Sequence, residues 1–460
     1  MPPAPAGTAG AAPPNTPPPD TPPPTAGTAP RDRRLSGTFH RFWGAGVFTN
    51  LGDGMILVAL PLIATTLTQD PFLVSGLTAT RFLPWLLLSP LSGLLIDRVN
   101  RMRAMAVANA AAALTMLALA GAMLTGHLSI WLLYAAMFVV IACETVSDPA
   151  SRIAVVELVP ARLLDRANSR LEGGRLVAQD CLGRPVAGFL FAAGAVAPLL
   201  GIAGAYALCA VLLCAIPLVW RRHTPPPGPD GADAGAGAEG SEGRDRQGFL
   251  RSLGEGFRMV FTDRILRGNM LCNAGLMIGM NMTASLLGLY AQNALGVPIT
   301  LFGLFLLSSA VGGVLGSLVA ARLLRRVGRR TVVTRGYAGA GLFLVAAGLA
   351  TEPRLAFLAL AGVGFCVVVS NVAAGLYFQT VVPNAVRGRI AGASKTIGWG
   401  LAPVGALLGG LLGRIDLALP YLVGGAVILL ATFLARRIIA ETARLADEAA
   451  ARLTTEAAGR

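Results

Sequence analysis

Gly93-Leu94-Leu95-Ile96-Asp97-Arg98-Val99-Asn100-Arg101-Met102-Arg103 is the stretch on which the reading of this 460-residue chain turns. It places an acid and three arginines in a turn between two apolar runs, each long enough to cross a bilayer. A turn so placed must sit at a membrane surface. An ordinary basic membrane loop would account for the arginines, but not for Asp97 or for the small Gly93 that lets helices pack closely.

The composition agrees. The chain is 54% hydrophobic and 13% charged, with a mean hydropathy of +0.64, which is too much apolar surface for a water-soluble domain. The net charge of +14 would suit nucleic acid if the bases were clustered. They are instead scattered through short loops, which excludes a nucleic-acid partner and makes them determinants of topology. The six cysteines lie inside apolar segments without paired metal-ligand spacing and read as core filler, so neither a metal nor a cofactor is expected.

Apolar runs of about 20 residues recur from His40 onward, each spanning roughly 30 Å as a helix. They predict an all-α membrane protein of about twelve transmembrane helices. The expected helices are 41–67, 73–96, 103–125, 128–150, 167–192, 195–220, 268–292, 299–323, 330–350, 354–381, 388–412 and 418–438. Residues 1–37 form a Pro/Ala-rich disordered tail and 38–220 a first six-helix bundle. A linker follows over 221–264, its last part an amphipathic interfacial helix, then a second bundle over 265–440 and a tail over 441–460. Within the linker, Gly235-Ala236-Gly237-Ala238-Glu239-Gly240 matches a dinucleotide fingerprint in letters only, because no strand precedes it and no helix opens from it.

Loop charge sets the orientation. One set of alternating loops carries Arg98, Arg101, Arg103, Arg162, Arg166, Arg325, Arg326, Arg329 and Arg387, while the other holds Gln69, Asp70, His127, Arg414 and Asp416. The basic side is expected to face the cytoplasm of a multi-pass cell-membrane protein with both termini inside. The halves also echo each other. Val159-Pro160 leads through Arg166-Ala167-Asn168 into the fifth helix, and Val382-Pro383 through Arg387-Gly388-Arg389 into the eleventh. The basic loop after helix 2 recurs after helix 8 as Arg322 to Arg330 without its acid.

Gly93 to Arg103 resembles the loop between helices 2 and 3 of the major facilitator superfamily. That pattern is Gly, three small or apolar residues, Asp, Arg, one residue, Gly, Arg and a further base. Asn100 stands at the second Gly, and Asn also tolerates a left-handed turn. Gly183-Arg184-Pro185-Val186-Ala187-Gly188 is similar to the Gly/Pro-rich helix 5 motif of the antiporter members, with Arg184 departing from it. Gly52-Asp53, Glu144 to Pro149 and Ala167 to Gly173 further resemble the macrolide and siderophore efflux type. The resemblance implies two pseudo-symmetric six-helix bundles working by alternating access as a drug/proton antiporter. It implies a cytoplasmic gate at Gly93, Asp97, Arg98 and Arg101, which latches the halves together. Its partners are then a small amphiphilic substrate, protons and membrane lipids, with the chain a monomer.

The acids of the helices are the candidates for chemistry. Asp53, near the middle of helix 1, costs on the order of 3 kcal/mol if left charged and alone in the bilayer. It is either a proton-coupling site or a structural acid locked to Arg81 of helix 2. Glu144 and Asp148 share a face of helix 4, and helix 5 returns with Arg175 at about the depth of Glu144, then Asp180 and Arg184. Asp53 leads as proton carrier, Glu144 and Asp180 follow, and Arg81, Arg175 and Arg184 are their cavity partners. Asp180 and Arg184 can equally pair with each other at helical spacing. A solute uptake permease would share the fold. An enzyme or an ATP-driven pump is disfavoured, because no His-Glu-x-x-His or phosphate-binding Gly-rich loop is present.

Overall fold

The computed structural model describes residues 35–88, 99–216, 258–380 and 384–458, apart from the side chains at 299–300, 376–380, 384–389, 391–393, 395, 446 and 449–458. Its elements are helices: α1 Gly37–Leu67, α2 Pro71–Leu88, α3 Arg101–Leu124, α4 Ile130–Leu158, α5 from Leu164–Arg175 through Leu176–Gly183 to Arg184–Ala193, and α6 Ala197–Cys214. After the linker come α7 Arg264–Ala284 with its bent continuation Leu287–Ala294, α8 Ile299–Val327, α9 Arg329–Gly348, α10 Pro353–Thr380, α11 Asn384–Gly413 and α12 Leu419–Ala458. Among the described residues nine of these are long and apolar enough to cross a membrane, and the two parts of α7, bent by 46°, make a tenth. The other two, α5 and α9, are interrupted or begin with arginines.

Local chemistry places the ends. Ser36, Asp70, Ser129 and Asp263 each accept a backbone N–H at the start of a helix, and Pro71 follows Asp70 at the first helical position. Asn100 caps α3 by accepting the Arg103 N–H at φ −66°, so it does not adopt the left-handed turn expected of it. Its counterpart in the second half, Gly328, has a positive φ, +76°, with an extended ψ of 156°. Two helices outrun expectation. α4 continues through Pro149 to Leu158 and α12 runs on to Ala458, because hydropathy marks where a helix leaves the membrane and not where it stops being a helix. Most of the linker lies outside the described residues.

Packing repeats with a shift of six helices. α6 packs on α1 and α3, and α3 on α4; in the second half α12 packs on α7 and α9, and α9 on α10. The halves meet through α2 with α11 and α5 with α8, a pair of seams that exchange under the same shift. At one end the seams are tied by Asp70 and Arg414 and by a 2.8 Å hydrogen bond from Asn293 to Gln69.

Candidate functional site

Two glycines flank Asp53, and each admits a different neighbour. A Cβ on Gly52 would sit 3.0 Å from the Tyr206 ring of α6, and one on Gly54 would run into the Gln179 carbonyl of α5. Gly183 faces Gly54 in return, its Cβ position 2.8 Å from the Gly54 Cα. The sequence Gly-Asp-Gly therefore lets α5 and α6 close on α1 around the carboxylate. Tyr206, buried, donates its hydroxyl to Asp53 Oδ1 at 2.8 Å. One turn away Thr49 donates to Asn109 Oδ1 at 2.9 Å, and Asn109 donates to Ser147 at 3.1 Å. Asp53, Glu144, Tyr206, Thr49, Asn109 and Ser147 line one cavity of about 10 Å³, room for a single water.

The charges gather around it. Asp53 feels the fields of Glu144, Asp148 and Arg81, and Arg81 those of Glu144, Asp53, Asp180 and Arg184. Arg81 sits where α2 turns at Arg81–Phe82 before resuming. Pro84 accounts for that break, since it lacks an N–H and crowds the carbonyl of Thr80. Asp180 and Arg184 pair at 2.9 Å within α5, the alternative left open for them in the sequence. Arg175, expected beside Glu144, instead binds Glu172 of its own helix at 2.6 Å and Gln179 at 3.1 Å. Asp148 lies 3.8 Å from Arg152 on α4. Asp53, Glu144, Asp180, Arg81 and Arg184 are thus brought together, and Arg175 turns away.

The helix 5 motif divides its labour. Pro185 cannot donate to the carbonyl four residues back, and the residues before it, Leu176–Gly183, widen into π-helix. Gly183 serves the α1 crossing, whereas a Cβ on Gly188 would lie 2.5 Å from the Gly303 Cα of α8, across the seam between halves. At the α2–α11 seam the Trp85 and Trp399 rings stand edge to face at 4.9 Å, with Phe82 6.4 Å from Trp399.

Of the expected cytoplasmic gate, Gly93, Asp97 and Arg98 lie outside the described residues. Arg101 pairs with Glu157 of α4, inside its own half, rather than across to the other. Sequence reading missed the tie at the opposite end. There Arg414 Nε donates to Asp70 Oδ1 at 2.8 Å, Nη2 reaches Oδ2, and the guanidinium lies 5.0 Å over the Phe72 ring. Arg414 holds the Asp70 carboxyl below the usual carboxylate range. The signal available was the pair of charged loops Gln69-Asp70 and Arg414-Ile415-Asp416 on the same expected face. Tyr206 was missed because a lone tyrosine in an apolar run carries no motif. Among the described residues no group of His, Cys, Asp and Glu could hold a metal ion.

The sequence model of the Major Facilitator Superfamily matches residues 42–404 and 270–455. An uncharacterized MFS-type transporter of Bacillus subtilis (strain 168), YfiS, is 26% identical over 402 residues, covering 83% of this chain and 88% of that one. Among solved structures, the nucleoside transporter NupG aligns with a TM-score of 0.63 at 12% identity, over 88% of this chain and 99% of that one. A bacterial homologue of the iron transporter ferroportin, in an inward-facing state, aligns with a TM-score of 0.62 at 17% identity, over 88% and 98%. At such identities the likeness is one of fold.

Proposed function

We propose that this chain, which belongs to the Major Facilitator Superfamily and so is a multi-pass membrane transporter, exports small amphiphilic molecules in exchange for protons, with Asp53 as the proton carrier. The observation that carries the reading is the Tyr206–Asp53 hydrogen bond at the middle of α1, roughly 20 Å from either helix end at 1.5 Å per residue. Ionisable groups at such depth are tolerated for function. The groups sharing these fields are four carboxylates, Asp53, Glu144, Asp148 and Asp180, and two guanidiniums, Arg81 and Arg184, so full ionisation leaves them two charges negative. A proton taken up there relieves the repulsion between Asp53 and Glu144.

With the basic loops in the cytoplasm, the Asp70–Arg414 end is the outer one. Seams closed there belong to a state that receives solute from inside. The Phe82, Trp85 and Trp399 rings beside the charge cluster supply an apolar wall next to a polar one, which suits an amphiphile, macrolides and siderophores included. Rocking of the halves then carries solute out and opens Asp53 to external protons. One proton falling through 100 mV releases about 2.3 kcal/mol, enough to drive a modest solute gradient.

The test uses proteoliposomes with an imposed pH gradient and a panel of drugs and siderophores, reading solute flux and proton release on binding. Wild type should expel solute against entering protons, and Asp53→Asn should insert normally yet lose the proton-driven component. Full efflux in Asp53→Asn removes that residue from the mechanism. Solute moving with the protons would make the chain an uptake permease.

A further inference from the structure

The second half holds a cavity of its own. It measures about 390 Å³ and lies near the start of α9, among α7, α9, α10, α11 and α12. That volume falls in the range of sites for small organic ligands. Its polar lining includes Arg329, Asn269, Asn273, Asn371, Ser394 and Thr442, and no carboxylate is among its described lining residues. Much of the remainder is aliphatic.

Arg329 is the odd member. Its side chain is 13% exposed, yet Nε and Nη1 are buried without a hydrogen-bond partner. The carboxylate facing it, Asp447 on the long extension of α12, stands 3.6 Å from Nε and is itself 60% exposed. Charge-assisted hydrogen bonds run at about 2.7–2.9 Å, so Asp447 neutralises the guanidinium only from a distance. The amides and hydroxyls around it can donate to an oxyanion without adding charge, although Asn269 already donates to Thr442 at 2.9 Å. A buried cation with open donors, neutral donors beside it and an apolar remainder together define what would fit.

We propose that this cavity binds an organic anion, a phosphate or carboxylate head on a compact apolar body, with Arg329 as the anchor and Asp447 as an internal competitor for it. The site belongs to the second half and does not depend on the Asp53 cluster of the first. Phosphate and carboxylate heads both accept two hydrogen bonds from the planar fork of a guanidinium, and the apolar part of the lining favours an organic anion over a bare inorganic ion.

The test is calorimetric titration of phenyl phosphate into the full chain in neutral detergent, with phenol and inorganic phosphate as the headless and bodiless controls. Phenyl phosphate should bind saturably, and both controls at least about tenfold more weakly. Arg329→Gln should weaken binding about 10- to 100-fold, the worth of a hydrogen bond to a charged group. Asp447→Asn should tighten it several-fold, and Asp53→Asn should leave it unchanged. Absence of saturable binding in both wild type and Asp447→Asn overturns the proposal, as does equal binding by a folded Arg329→Gln. Should Arg329→Gln not fold, Asp447→Asn decides alone, because unchanged or weaker binding there also overturns it.

Discussion

Adding one methyl group at Gly188 tests whether the two seams open as a unit. A Cβ there would lie 2.5 Å from the Gly303 Cα and 2.9 Å from its nitrogen, where ordinary contact begins at 3.4 Å. Both neighbours are backbone, so α5 and α8 must part by about 0.9 Å, the difference between those distances. Overpacking of this kind costs about 1–3 kcal/mol. The helix itself does not suffer, since alanine is a better helix former than glycine by roughly 1 kcal/mol. The cost therefore falls on the state in which the Asp70 end is closed, and shifts the equilibrium about 5- to 150-fold toward the state open there. The reporter is Ser75→Cys in a chain whose six native cysteines are replaced. Ser75 is buried at the other seam, on α2 against Gly410 of α11. Gly188→Ala should raise its rate of labelling by a membrane-impermeant maleimide by that factor. Unchanged labelling in a well-folded Gly188→Ala chain would refute the idea that the halves move as rigid bodies, because the methyl would then have been absorbed locally.

Tyr206→Phe keeps the ring against Gly52 and removes the hydroxyl on Asp53, a loss of about 1.5–3 kcal/mol for the ionised acid; proton-driven efflux in proteoliposomes should fall about 10- to 100-fold while expression and thermal stability stay near wild type. The Asp70 tie should respond to acid. Its carboxyl is held low by Arg414 in the closed state, so the tie's contribution is present above the ordinary value of about 3.9 and lost as pH falls through the depressed one. Accessibility of Ser75→Cys, taken as its labelling rate relative to a free cysteine at the same pH, should accordingly be flat from about pH 8 to pH 5 and rise only in stronger acid, and Arg414→Gln should raise it across the flat range. Pro185→Ala restores a donor and lets the π-helical stretch tighten by one residue, turning Gly188 by about 100° away from Gly303; a folded variant with wild-type coupling of solute to protons would show that the stretch is incidental.

The architecture was legible because hydropathy and loop charge are properties of whole segments. Twelve apolar runs in two sets of six, with bases in alternate turns, left little freedom, and the helices fall within a few residues of the expected spans wherever the apolar run and the helix end together. They diverge at α4 and α12, where the helix continues past the apolar run. The site was legible only in part. Asp53, Glu144, Arg81, Asp180 and Arg184 could be named because charge inside an apolar run is costly and rare. Their pairing could not, since it depends on the rotation of each helix about its axis. Arg175 shows this: depth along α5 put it beside Glu144, but its side chain follows α5's own surface to Glu172. Gly52 and Gly54 read as generic packing glycines until their partners, Tyr206 and Gln179, were known.

With Asp53 as the proposed proton carrier, α5 is the element that links its charge to the movement of the halves. The acids lie inside the first half, whereas the proposed rocking takes place at the seams between the halves. Gly183 touches Gly54, next to Asp53, and Gly188 touches Gly303, at the seam; five residues, about 7.5 Å of helix, separate the two crossings. Asp180 and Arg184 sit on the same stretch and lie within the field of Arg81. A change in the charge of Asp53 alters the pull of Arg81 on both, and any rotation of α5 in response moves Gly188 on Gly303. The π-helical turns between Leu176 and Gly183 are the part of α5 that can take up such a rotation without breaking the helix, because a widened turn can pass its extra residue along at little cost. An antiporter needs that property at this place, whereas a channel or a passive facilitator with the same fold does not.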